Sequence, residues 1–217
     1  TESYDRADRL TETVDARGNR VLYSYDAANR VLTRAVDPAG LNLVTTYAYD
    51  AKGQTVSVTD ARGIVTQTQF DLKGEVTRVI VDPTGLNLRT AYAYDARGKT
   101  LTVTEGEGSA QPRVTQYTYD TLGRRTQERV DPTGVNATTS YTYDKNNNVL
   151  TKTDALGNLT RYVYDADDRL VYTVDALGGV TGNDYDAEGR IVRTVAYATP
   201  INLVGLAGAP ALSLSLI

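Results

Sequence analysis

Apolar positions along the chain come in runs of about seven to eleven residues, interrupted by short polar segments. "RVLTRAV" (30–36), "EVTRVIV" (75–81), "NLTRYVY" (158–164) and "RLVYTV" (169–174) are rich in Val, Thr and Tyr. Such residues fit a pleated, half-buried surface. No run keeps a 3.6-residue period over three turns, so the pattern predicts strands and no helices. The interruptions are full of Asp, Asn, Gly and Pro, the residues of tight turns. The expected fold is all-β, an antiparallel meander of about seventeen strands.

The interruptions repeat. An aromatic residue followed by Asp occurs at Tyr4-Asp5, Tyr25-Asp26, Tyr49-Asp50, Phe70-Asp71, Tyr94-Asp95, Tyr119-Asp120, Tyr143-Asp144, Tyr164-Asp165 and Tyr185-Asp186. The intervals are 21, 24, 21, 24, 25, 24, 21 and 21 residues. Three residues after each of these aspartates stands Gly, Asn or Asp, the types that most readily take positive φ. Midway through each repeat lies a second turn, "DARG", "DPAG", "DPTG", "EGEG" or "DALG". Its fourth residue is always Gly, among them Gly18, Gly40, Gly63, Gly85, Gly134, Gly157 and Gly178. The first residue can accept backbone N–H bonds, Pro presets φ, and the Gly is expected in the left-handed region, closing a three-residue loop with a bulge. On this reading all seventeen turns are of one kind.

Six repeats end in Tyr-x-Tyr-Asp, which places both rings on one face of a strand, as with Tyr162 and Tyr164. Between them lie Ser24, Ala48, Ala93, Thr118, Thr142 or Val163, most of them small. One face should therefore carry a ladder of tyrosines packed on one another. The 24-residue intervals coincide with "DPxG" turns. Counted from acid to acid, the longer repeat adds one residue to the outgoing arm and two to the returning arm. A slip of one residue flips every side chain to the other face, so a bulge is expected on the returning arms after Gly40, Gly85 and Gly134.

Composition narrows the chemistry. The chain carries 23 Lys+Arg against 27 Asp+Glu, a net charge of −4, which argues against nucleic acid as the main partner. It has no Cys, hence no disulfide framework or thiolate metal site. It has no His, which removes the usual general base and the commonest metal ligand. With sixteen Tyr, one Phe and no Trp, the aromatic surface is half apolar and half wet. The sequence opens inside a copy of the motif, with no initiator Met and no signal peptide, and reads as a fragment of something longer.

The pattern Tyr-x-Tyr-Asp-x-x-Gly-Arg, then a β-run, then Asp-x-x-Gly, resembles the Rhs/YD-repeat family over about residues 3–197. That family includes bacterial Rhs toxins, the C component of insecticidal toxin complexes and the YD shell of animal teneurins. The resemblance implies a hairpin strip forming a curved segment of a spiral β-shell. In the toxins such a shell sequesters a variable C-terminal domain; in teneurins it is part of an adhesive ectodomain. It also implies a secreted or cell-surface protein, of bacterial origin on the toxin reading. "DPAGL" (37–41) and "DPTGL" (82–86) match a short string found at the self-processing boundary of some members. Here they sit inside repeats and are read as turns.

Three kinds of site suggest themselves. The recurring aspartates invite comparison with a glycosidase carboxylate pair, but catalysis needs one asymmetric constellation and these all occupy one turn position. "DKNNNV" (144–149) begins like a calcium loop but has Val149 where the turn Gly belongs and Ala155 where the closing Glu belongs. The tyrosine rows with nearby carboxylates and amides suit sugar stacking, which makes a carbohydrate-binding or adhesion module the alternative function. "EGEGSAQPR" (105–113) reads as a tolerated insertion.

The segment 196–217 has no charge, yet its prolines, glycines and polar residues argue against a membrane span. It is expected to be a truncated insertion or an irregular packing segment following a strip that occupies residues 1–197. The expectation is thus a non-catalytic shell segment without cofactor or metal, enclosing a domain of its parent. Its partners are the remaining repeats and that enclosed domain, with self-association through open sheet edges.

Overall fold

The structure, a computed structural model, describes residues 1–201. The expectation for 198–217 lies, from residue 202 on, outside the described residues. The described chain is all-β, with eighteen antiparallel strands and no helix. It forms two compact units. The first comprises Thr1–Gly98 and Val103–Arg113; the second comprises Lys99–Thr102 and the chain from Val114 onward.

In the first unit the strands are β1 (Glu2–Tyr4), β2 (Leu10–Val14), β3 (Arg20–Tyr25), β4 (Val31–Val36) and β5 (Leu43–Tyr49). They continue with β6 (Thr55–Thr59), β7 (Val65–Phe70), β8 (Val76–Val81) and β9 (Leu88–Tyr94). Strand β10 (Thr100–Glu105) is divided between the units. It is followed by β11 (Arg113–Tyr119), β12 (Arg125–Val130), β13 (Ala137–Tyr143) and β14 (Val149–Thr153). The second unit ends with β15 (Leu159–Tyr164), β16 (Leu170–Val174), β17 (Val180–Tyr185) and β18 (Ile191–Ala196). From β1 to β9, and again from β11 to β18, each strand pairs with the next.

The bulges are not where the interval lengths suggested. The returning strand β5 pairs with β4 without interruption from Thr33↔Thr46 to Val36↔Leu43. The same holds for β9 on β8 and β13 on β12. A long repeat instead adds one residue to each arm and one to the far loop, as β4, 37–42 and β5 show against β2, 15–19 and β3. Growing both arms together keeps the alternation of faces, so no bulge is needed. The bulges lie on the outgoing arm, one in each of the eight Tyr-Asp hairpins contained in a single unit. Tyr25 pairs with Val31 and Ser24 with Thr33, which leaves Leu32 over. Tyr143 pairs with Val149 and Thr142 with Thr151, leaving Leu150. Because every repeat has this bulge, it leaves no trace in the spacing.

Apart from the loop between β10 and β11, where Gly106 and Gly108 have positive φ, the turns are of two kinds. At all nine Tyr-Asp turns, and at "DARG" and "DALG", the fourth residue has positive φ, for example Asn29 (63°), Gly53 (85°), Gly98 (80°) and Gly157 (85°). At each of these short turns the leading Asp accepts backbone N–H bonds. Asp26 Oδ1 takes those of Ala28 (2.8 Å) and Arg30 (2.9 Å), while the Asn29 N–H closes on the Asp26 carbonyl at 3.1 Å.

The "DPxG" turns differ. Gly40, Gly85 and Gly134 are not left-handed, contrary to the expectation; positive φ falls on Asp37, Asp82 and Asp131 and on Asn42, Asn87 and Asn136. The loop is therefore six residues, Asp-Pro-x-Gly-(Leu/Val)-Asn, closed by the Asn42 N–H on the Asp37 carbonyl at 2.8 Å. Its glycine serves a different end. A Cβ at Gly85 would fall on the Asp82 carboxylate, whose Oδ2 accepts the Leu86 N–H at 2.8 Å. The fifth residue is left in solvent: Leu41, Leu86 and Val135 are 76%, 75% and 83% exposed.

Deep burial is scarce. The one apolar cluster among the described residues is Val163, Val174 and Val180, with Val171, Tyr172 and Ile201 packed on it. The chain after β18 folds back over this cluster, the Tyr197 N–H reaching the Val180 carbonyl and the Ile201 N–H the Gly178 carbonyl, both at 2.9 Å. Elsewhere the strands are mostly half-buried, so stability has to come from cross-strand and repeat-to-repeat contacts.

Candidate functional site

The recurring Tyr-Asp pair builds a clasp between consecutive repeats. The bulge ends strand pairing early: β4 and β5 last pair at Thr33↔Thr46, beyond which β5 offers the Val31 carbonyl no backbone partner. An unpaired backbone carbonyl needs a donor. The Tyr49 hydroxyl supplies it, donating to the Val31 carbonyl at 2.7 Å. The same bond joins Tyr25 to Leu10, Tyr94 to Val76 and Tyr119 to Thr100, each at 2.7 Å. Tyr143 reaches Arg125 at 2.6 Å and Tyr185 reaches Leu170 at 2.8 Å. In every case the acceptor is the fifth residue after the preceding aspartate.

The other half of the clasp is an arginine four residues after the aspartate. Arg30 Nε donates to Asp26 Oδ2 at 2.7 Å, and its guanidinium lies 4.6 Å from the Tyr49 ring centre. Its Nη1 goes on to the Asp50 carbonyl at 3.0 Å. Arg9 covers Tyr25 (5.0 Å), Arg124 covers Tyr143 (4.8 Å) and Arg169 covers Tyr185 (5.2 Å) in the same way. Sequence reasoning quoted this arginine within the motif and gave it no role. Its tyrosine lies in the next repeat, although the recurrence of Arg at the fourth place was the available signal. The expected stack of tyrosine on tyrosine is not formed: the ring pair found among the described residues is Tyr172–Tyr197, with centroids 6.2 Å apart. Cation–π contact with Arg takes the place of the ladder.

The aspartates are committed to this framework. Asp26, Asp120 and Asp165 are held below the usual carboxylate range, first by the backbone N–H of the arginine four residues on and then by its guanidinium. At Asp5 the guanidinium of Arg9 contributes most. Asp144 accepts the N–H groups of Asn146 (2.8 Å) and Asn148 (2.9 Å) and the Asn148 amide (3.0 Å). Both asparagine amides also reach Asp168 Oδ1 at 2.7 Å, so the calcium-like stretch is a bridge between neighbouring turns. Among the described residues no group of three or more His, Cys, Asp or Glu side chains is placed to hold a metal. The loop 105–113 is tied in through Glu107, which pairs with Arg78 (Nη2–Oε1 2.6 Å) and whose N–H donates to the Arg89 carbonyl.

Four junctions have Gln54, Glu75, Lys99 or Asn148 in place of the arginine; the first and last of these lack the phenol-to-carbonyl bond as well, and a groove opens at each. Gln54 replaces the arginine and Phe70 the tyrosine at the first, so the Thr55 carbonyl receives no phenol; the groove there is about 790 Å³, lined by Asp50, Lys52, Gln67 and Phe70. At the last, Asn148 replaces the arginine, and a groove of about 390 Å³ is lined by Asp144, Tyr162, Tyr164 and Asp168. Burial pushes the Tyr164 phenol pKa up. The aspartates and tyrosines of the motif are thus spread along one edge of the hairpins as pairs of neighbours and converge on no single centre.

Comparison with known proteins fits this geometry. The profile of the RHS Repeat family matches residues 4–41, 32–65, 49–86 and 143–180. No curated protein matches by sequence. Among solved structures, the crystal structure of TcdB2-TccC3-Cdc42 superposes with a TM-score of 0.71 at 20% identity, over 92% of this chain and 12% of that one. TcdB2-TccC3 without its hypervariable C-terminal region gives 0.72 at 18% identity, over 90% and 11%. A Photorhabdus luminescens Tc holotoxin pore carrying a TccC3 mutation gives 0.59 at 13% identity, over 90% and 13%. The chain therefore spans about an eighth of the solved chains whose fold it shares. The matched residues include Tyr-Asp turns, arginines and glycine loops of the clasp, and the chain belongs to the RHS-repeat family.

Proposed function

We propose that the chain is a non-catalytic wall segment of an Rhs/YD-repeat shell that encloses and sequesters a C-terminal toxin or effector domain of its parent protein. The carrying observation is the clasp: the motif's aspartates, arginines and tyrosines are consumed in joining one hairpin to the next. What such an arrangement produces is a continuous sheet, and a continuous sheet works by separating two spaces. Likeness of fold to toxin-complex chains supports a curved shell segment over other uses of a hairpin strip. On this reading the protein is bacterial and exported, and its partners are the remaining repeats and the enclosed domain. Among the described residues no helix is long and apolar enough to cross a membrane.

The carbohydrate-binding alternative has less to work with. A sugar stacks on an open aromatic face, and the faces of Tyr25, Tyr49, Tyr143 and Tyr185 are met by guanidinium groups. The deciding experiment uses the full-length parent with a protease site placed in the domain that follows the repeats. Enclosure leaves the site uncut in the native protein and exposes it once Arg30→Ala and Arg124→Ala loosen the wall. Equal cleavage in both proteins would refute enclosure.

A further inference from the structure

In the complete clasps an aromatic ring, the carboxylate of one turn and the carbonyl of the next surround a guanidinium. Arg30 lies 4.6 Å from the Tyr49 ring centre, on Asp26 Oδ2 at 2.7 Å and on the Asp50 carbonyl at 3.0 Å. Arg124 makes the same three contacts with Tyr143, Asp120 and the Asp144 carbonyl. At the Gln54 junction, inside the first unit, the surroundings remain and the arginine is replaced. Phe70 supplies the ring, Asp50 the carboxylate and Asp71 the carbonyl. Asp50 Oδ1 accepts the Lys52 and Gln54 N–H groups at 2.9 and 2.8 Å. Its Oδ2, the atom that meets the guanidinium in the clasp, has no hydrogen bond among the described residues. The nearby side chains reach past it: Gln54 Nε2 goes to the Gly74 carbonyl at 3.3 Å and Lys52 Nζ to the Leu72 carbonyl at 2.8 Å.

We infer that the groove at Asp50 and Phe70 binds an arginine side chain presented by an extended segment of another polypeptide. A guanidinium is what the chain itself places against such a ring, at Tyr25, Tyr49, Tyr143 and Tyr185. It is planar, so it stacks on the ring while its edge donors reach a carboxylate and a carbonyl. The Thr55 carbonyl, which receives no phenol from Phe70, stands at the same junction as a further acceptor. An ammonium fits less well: Lys52 lines the groove, yet its Nζ takes the Leu72 carbonyl and makes no ion pair with Asp50. At about 790 Å³ the groove exceeds one guanidinium. Val56 and Leu72, the latter 93% exposed, offer apolar contact to the residues on either side of the arginine. The site follows from the clasp geometry and does not depend on whether the strip encloses a domain.

Amide chemical shifts of the whole chain, followed during titration with acetyl-Ala-Arg-Ala amide, test this. The expected result is a saturable shift centred on residues 50–56 and 67–72, with a millimolar dissociation constant. The citrulline peptide keeps the shape and loses the charge, and should bind at least about tenfold more weakly; the lysine peptide should lose roughly fivefold. Asp50→Asn keeps an oxygen for the turn N–H groups and removes the charge, so it should fold and bind about tenfold more weakly. Gln54→Arg supplies the guanidinium from within, and should abolish binding while raising the melting temperature. The comparison of peptides needs no variant to fold. A titration that does not saturate, a citrulline peptide that binds equally, or a Gln54→Arg chain that binds like the unaltered one would overturn the proposal. So would a methyl glucoside that shifts these residues where the arginine peptide does not, since the groove would then be a sugar site. None of these results bears on protease protection of the parent's enclosed domain, so the wall reading stands or falls separately.

Discussion

The Arg30 guanidinium lies over the ring of Tyr49 while its Nε is bonded to Asp26, so one side chain ties together two consecutive Tyr-Asp turns. Three weak interactions are stacked in that one connection: an ion pair, a cation–π contact and a phenol-to-carbonyl bond. The cation–π contact and the phenol-to-carbonyl bond are each worth about 0.5–1.5 kcal/mol, and the solvent-screened ion pair contributes less. Repetition along the strip makes them the main lateral glue of a sheet with little deep core.

Removing only the phenol oxygen isolates one of the three. Tyr49→Phe should destabilise by about 0.5–1.5 kcal/mol, because the Val31 carbonyl loses its donor while the ring and Arg30 stay in place. Urea unfolding at constant slope is the measurement. An unchanged midpoint would mean that water replaces the phenol at no cost.

The converse change should stabilise. Phe70 occupies the clasp position opposite the Thr55 carbonyl without a hydroxyl to offer. Phe70→Tyr is expected to raise stability by about 0.5–1.5 kcal/mol and to slow amide exchange at the turn ends of β6 and β7. Destabilisation would show that this junction is shaped differently from the other six.

Two glycines should fail for different reasons. Gly157 has φ +85° and open space around it, so Gly157→Ala costs about 1 kcal/mol through backbone strain alone. Gly85→Ala meets the Asp82 carboxylate and should cost about 1–3 kcal/mol. Asp82→Ala removes the obstacle, so the Gly85→Ala penalty should shrink in that background. Asp154→Ala should leave the Gly157→Ala penalty as it was. Additive behaviour at both turns would be the wrong result.

Acid should unfold the protein. The carboxyls of Asp5, Asp26, Asp120, Asp165 and Asp186 sit below their ordinary values because they accept hydrogen bonds from the following backbone and arginine. A depressed folded-state pKa contributes stability that is complete above the unfolded value, near 3.9, and disappears as pH falls through the folded value. Melting temperature should therefore be flat above about pH 5 and fall steeply below about pH 4. Asp26→Asn should flatten that fall, since one of the groups responsible is gone. A melting temperature independent of pH down to 2 would remove the aspartates from the account.

The strands, their antiparallel pairing and the short turns were legible because their signals are local. Val/Thr/Tyr runs and a residue tolerant of positive φ three places after each Asp are complete statements within one hairpin. The glycines of the long turns were misread because Gly is expected wherever φ is positive. The informative residues there were Asn42, Asn87 and Asn136, which close each loop and were present in the sequence. The bulges were misplaced for a related reason: a feature present in every repeat cannot be found by comparing repeat lengths. The clasp stayed hidden because Arg30 and Tyr49 belong to different hairpins. Only three-dimensional adjacency makes them one unit.

The way long repeats grow has a consequence for the two rims of each unit. Bulge and short turn recur from hairpin to hairpin at the Tyr-Asp rim of each unit, so that rim stays level. An extra residue in each arm raises the opposite rim by about 3.4 Å. In the first unit short and long repeats alternate, and the far rim is notched, with Leu41 and Leu86 capping its higher teeth. A surface laid against the level rim meets the same height at every hairpin and cannot tell one from another by height. A surface laid against the notched rim meets a profile of heights, and can fit it in one position only.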